Sequence, residues 1–150
     1  MATNTILQSL NTSAEGAGVG SSARRQIETY IASGAIAAGD LVCFDITKTD
    51  DSDKCLHITK ADTGSGNTIV CVGFALDAAL AAGDPVNVTV AGLHESANVA
   101  AATAAGDRLI ASGTAGRAAI YTGAESVPPI AYAIEADTAN FAGVIVIKQF

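Results

Sequence analysis

The stretch IVCVGFALDAALAAGDPVNVTVAG, residues 69–92, decides the fold. It opens on an almost unbroken apolar run and ends in strict alternation, with Val86, Val88 and Val90 on one side of an extended chain and Asn87 and Thr89 on the other. A period of two belongs to a β-strand, whose successive side chains point to opposite faces. Residues 68–76 and 85–90 therefore read as strands. Between them stands Ala81, Ala82, Gly83, Asp84, a corner in which the glycine can take the positive φ of a tight turn and the aspartate can accept from nearby backbone N–H groups.

The same corner recurs as Ala37, Ala38, Gly39, Asp40 and as Ala104, Ala105, Gly106, Asp107, each time just ahead of a further strand. The unequal spacing argues against a solenoid repeat, and aspartate after glycine is ordinary turn chemistry rather than a catalytic signature. Beyond 41–46 and 108–112, strands are expected at 26–31, 54–59, 117–122, 130–135 and 144–148. Segments 54–59 and 68–76, separated by the turn-rich run from Asp62 to Asn67, read as a hairpin. Helical signals are weak: only the Ala-rich stretches 77–82 and 98–105 could hold a turn or two. The fold class is mainly β, a compact β-barrel or β-sandwich.

With 150 residues the chain has room for one core. Residues 1–25, rich in Thr, Ser, Asn, Gly and Ala, read as an extended N-terminal arm that cannot offset its own ordering entropy, and 26–150 as the β-rich domain. Within the arm Ile6, Leu7 and Leu10 are apolar residues that a free tail has no need of.

Composition narrows the function. Apolar residues make up 49 %, yet only 5 % are aromatic and there is no Trp, which leaves little of the aromatic area that anchors a small-ligand pocket. A net charge of −7 lacks the positive footprint that nucleic acid requires. No apolar run approaches a bilayer span, and the first residues lack the order of a signal peptide, so a cytosolic, soluble product without a membrane partner is expected. Cys43, Cys55 and Cys71 have no CxxC spacing, and Cys43 and Cys71 sit in apolar runs as small buried hydrophobes.

Reactive groups do not assemble. Of the two histidines, His57 is expected to face solvent between a buried pair, Leu56 and Ile58, and His94 to sit at a solvated or core-edge position near a turn at Gly92. Neither has a metal-ligand partner at a recognisable spacing. Asp50, Asp51 and Asp53 lie on one short loop, but the glycine and distal glutamate of a calcium loop are missing, so a solvated hairpin tip is the reading. There is no phosphate-binding loop, and nothing selects a carboxylate pair for glycoside hydrolysis. No catalytic, cofactor-binding or metal-binding residue is expected.

The segment 69–92, together with GAIAAGDLVCF at 34–44 and AAGDRLIASGTAG at 104–116, resembles the strand, small-residue corner, strand pattern of the capsid cement or decoration proteins of tailed phages. That resemblance implies a homotrimer on the outer surface of the virion, bound to the major capsid protein where shell subunits meet and bridging them against the pressure of packaged DNA. Ile6, Leu7 and Leu10 would then lie in the shell contact. One alternative is a head-fibre or receptor-binding module, whose mark would be a trimeric stalk or an exposed aromatic patch, neither of which is evident in the sequence. Another is a small β-barrel enzyme.

Overall fold

The computed structural model describes residues 10–11, 18–19, 25–64, 70–125 and 127–148. Ile6 and Leu7 lie outside the described residues; Leu10 is described in backbone only. Two short strands, β1 (Leu10–Asn11) and β2 (Gly18–Val19), pair antiparallel with each other. The main sheet is built from β3 (Arg25–Ala32), β4 (Leu41–Phe44), β5 (His57–Lys60), β6 (Cys71–Ala75), β7 (Pro85–Asn98), β8 (Arg108–Ala111), β9 (Ala118–Ile120), β10 (Ala131–Ala133) and β11 (Phe141–Val146). Its order is β3-β5-β4-β6-β7-β11-β10-β8-β9, and an added β3–β7 pairing closes the first five strands into a barrel. Of the two expected architectures the barrel is the one formed, and the same sheet runs on from β7 through β11, β10, β8 and β9 as an outer sheet.

Two cores result. Tyr30, Ala32, Val42, Ile58, Val72, Ala75, Val86, Val88 and Val90 come from all five barrel strands and fill its interior. The second core joins Leu41, Cys43, Cys71 and Phe74, which alternate with those inward residues, to Ala97, Leu109, Ala131, Val144 and Val146 of the outer sheet. Strands β4 and β6 are therefore covered on both faces, which is why their sequences read as continuous apolar runs while the valines of β7 alternate. Val86, Val88 and Val90 are all buried, as their spacing predicts.

Strand β7 spans 14 residues and belongs to both bodies: residues 85–92 pair with β3, and 92–98 with β11. No turn occurs at Gly92. The strand passes straight through it at φ +85°, and further on a register shift leaves extra residues of β7 opposite Gly143. Such a bulge bends the strand and re-aims side chains. His94, still in register with Val144 ahead of that bulge and beyond an earlier register shift against β3 between Thr89 and Ala91, is not at a solvated or core-edge position but buried, stacked 5.5 Å from Phe74 with Nδ1 3.1 Å from Thr89 Oγ1. Burial lowers its pKa below the usual histidine value.

Other expectations are corrected as well. Strand β5 does not form a hairpin with β6, because β4 lies between them and pairs antiparallel with both. A chain segment apolar on both faces gains most at such a central position. The Ala-rich stretches 77–82 and 98–105 hold no helix; Ala79 bridges to Ile36, and Val99 to Ala118. Tertiary pairing there overrides the weak helical propensity of short alanine runs. The one helix among the described residues is α1 (Asp51–Lys54), a single turn in the connection between β4 and β5, so the acidic cluster does lie on a loop between paired strands. Leu56 is exposed rather than buried, whereas Ile58 is buried and His57 bonds through Nδ1 to the Asp53 carbonyl at 3.0 Å.

Candidate interaction surface

The three small-residue corners share one geometry. Gly39, Gly83 and Gly106 have φ of +85°, +95° and +93°, and the aspartate N–H donates to the carbonyl of the first alanine at 3.1, 3.4 and 3.1 Å. Each carboxylate in turn accepts from that alanine's N–H, Ala37 to Asp40 at 2.9 Å, Ala81 to Asp84 at 3.0 Å and Ala104 to Asp107 at 2.8 Å. Backbone and side chain thus close the same loop twice.

The corners differ in their surroundings. Asp40 is buried, with Lys60 Nζ 3.0 Å from Oδ2 and Asn98 Nδ2 donating to Oδ1 at 3.1 Å, while Arg117 Nε donates to Asn98 Oδ1 at 3.2 Å. This chain of polar groups ties the barrel to the outer sheet. The sequence marks Asp40 as a turn residue but gives no sign of Lys60, Asn98 or Arg117, which come from distant segments. Asp84 and Asp107 are partly exposed and serve their own turns.

The outer sheet presents a row that the sequence does not announce. Strand register sets Leu93 opposite Ile145, Ile145 opposite Tyr132, and Tyr132 opposite Arg108. Tyr121, just past β9, continues the line by donating its N–H to the Arg108 carbonyl at 2.7 Å. Directly paired residues share a face, and this face is the one turned away from buried Leu109, Ala131 and Val144. Tyr132 is 41 % exposed, Ile145 39 % and nearby Ile134 49 %. Arg108 is also exposed.

At the β8–β9 end the row opens into a cleft of about 320 Å³ lined by Gly106, Asp107, Arg108, Tyr121, Thr122 and Gly123. Both walls are fixed turns. One is the Asp107 corner. In the other, the Glu125 carboxylate accepts from the Thr122 hydroxyl at 2.8 Å and from the Gly123 N–H at 3.0 Å. The Thr122 hydroxyl bond holds the Glu125 carboxyl below its usual pKa. A second cavity, of about 210 Å³, lies where Arg25, Gly39, Leu76 and the β7 bulge meet. Among the described residues no group of three or more His, Cys, Asp or Glu is placed to hold a metal ion, and no helix is long and apolar enough to cross a membrane.

No protein-family model and no curated protein matches the chain. Among solved structures it is similar to the N base of the head fiber protein gp8.5 of bacteriophage phi29, with a TM-score of 0.57 and 20 % sequence identity over 82 % of this chain and 94 % of that one. The likeness spans nearly the whole of the neighbour and is one of fold.

Proposed function

We propose that this chain is a structural, non-enzymatic protein of a tailed-phage head, attached to the outer surface of the shell. The observation that carries this reading is the shared fold with the base of a phage head fibre across most of both chains. In its cement form the protein bridges neighbouring major capsid subunits. Whatever binds only the assembled shell stabilises it by RT ln(1 + [L]/Kd) per site, and a homotrimer multiplies that attachment through effective concentration. Ile6, Leu7 and Leu10 of the arm would contribute apolar contact to the shell.

A second reading, the base module of a head fibre, is favoured by the row of exposed Tyr132, exposed Arg108 and half-buried Tyr121, an aromatic patch of the kind a receptor-facing module presents. Co-sedimentation with expanded heads of the phage that encodes the chain tests attachment, and binding is the expected result. Loss of binding on deleting residues 1–20 would place the contact in the arm; undiminished binding would exclude it. Heating filled heads with and without the protein separates the two forms. A cement raises the temperature of DNA release, whereas a fibre base leaves it unchanged. A chain that never co-sediments with heads overturns the proposal.

A further inference from the structure

We infer that the cleft between Arg108 and Tyr121, with Tyr132 beside it, is a saccharide-binding site. Sugars carry hydroxyls that both donate and accept, around a ring with apolar C–H faces. The cleft offers the matching chemistry in a small space: a guanidinium donor, the Asp107 carboxylate as acceptor, and a tyrosine with an apolar ring and a polar tip. Arg108 forms no salt bridge among the described residues, so its donors are not committed to any carboxylate among them.

Size and spacing agree. At about 320 Å³ the cleft reaches the lower bound of small-ligand sites, roughly 300 Å³, which suits one or two sugar rings. Tyr132, Arg108 and Tyr121 sit on or just past three successive strands, β10, β8 and β9. Adjacent strands lie about 4.8 Å apart, close to the length of one pyranose ring along a glycan, so a chain laid across the strands meets a tyrosine, an arginine and a second tyrosine in ring-sized steps. The walls are hydrogen-bonded turns in place before any ligand arrives, which lowers the cost of ordering the site on binding. A docked protein would favour an apolar, water-excluding pocket at the centre of the contact; this cleft is lined chiefly by polar groups. The inference does not depend on attachment to a head.

The test is saturation-transfer NMR on the full chain with maltose, cellobiose and N,N′-diacetylchitobiose at millimolar concentration. Transfer to the ring C–H protons of at least one of them is expected, with shifts of the Tyr121 and Tyr132 ring resonances. Arg108→Ala and Tyr121→Ala should each weaken that binding by about tenfold or more. Circular dichroism of each variant checks that the fold is intact. Absence of transfer from all three sugars overturns the inference. So does transfer that survives both alanine substitutions in folded protein. If head shells rather than sugars shift the two tyrosine resonances, the row is a protein-docking face and the saccharide assignment falls while head attachment stands.

Discussion

Two glycines with nearly the same backbone angle should tolerate a methyl group very differently. At Gly83, φ +95°, a Cβ meets nothing within 4 Å, so Gly83→Ala should cost only the left-handed penalty, about 1–2 kcal/mol. At Gly39, φ +85°, the same atom falls 2.5 Å from the Ser96 carbonyl oxygen and 3.2 Å from Phe141 Cε1, which adds overpacking of roughly 1–3 kcal/mol. Urea unfolding of both variants measures the difference, and equal losses would refute the close approach of the first corner to β7. The repeated Ala-Ala-Gly-Asp string made the turns legible, because their closure is local and each residue has a turn-specific role. Which corner would be buried was not legible, since Asp40 owes its surroundings to Lys60, Asn98 and Arg117, and side chains far apart in sequence leave no local pattern.

At the scale of elements, burial on both faces of β4 and β6 has a chemical consequence. Cys43 and Cys71 are directly paired across those strands, and burial pushes their thiols up to about 12 and about 11. Since the thiolate is the reactive form, a thiol reagent added to the native protein at pH 7–8 should modify exposed Cys55 alone. The other two should react only at the rate at which the barrel opens. Mass spectrometry of peptides after timed labelling checks this; early labelling at Cys43 or Cys71 would contradict the covered barrel wall. The apolar runs around these cysteines revealed buried strands. They could not reveal the partners, because a strand apolar on both sides fits between any two neighbours, and so β5 and β6 read as a hairpin although β4 divides them. The alternation of β7 stopped being readable beyond Thr89, because register shifts break the period of two once against β3, between Thr89 and Ala91, and again against β11, just past buried His94.

For the whole molecule, the two cores should melt as one. Strand β7 carries Val86, Val88 and Val90 into the barrel and Ala97 into the outer core, so neither core survives loss of the other's share of the strand. Tyr30 reports on the barrel and Tyr132 on the outer sheet. Their ring resonances, followed through a urea series, should disappear at a common midpoint, as two-state unfolding requires. Separate midpoints would mean that barrel and outer sheet are independent folding units. Fold class was readable from strand periodicity and scarce helix signals. The outer row was not, for Leu93, Arg108, Tyr121, Tyr132 and Ile145 are scattered along the sequence and become neighbours only through the register of five strands.

A strand shared by two bodies also governs how the molecule bears load. Along β7 the cross-strand bonds to β3 and β11 lie perpendicular to the strand. A tug directed along its length must shear many of them at once, instead of parting them singly as a zipper does. If the outer sheet is gripped at one end and the barrel is anchored at the other, tension passes between them through a continuous covalent backbone. The molecule is thereby suited to holding on against a steady pull.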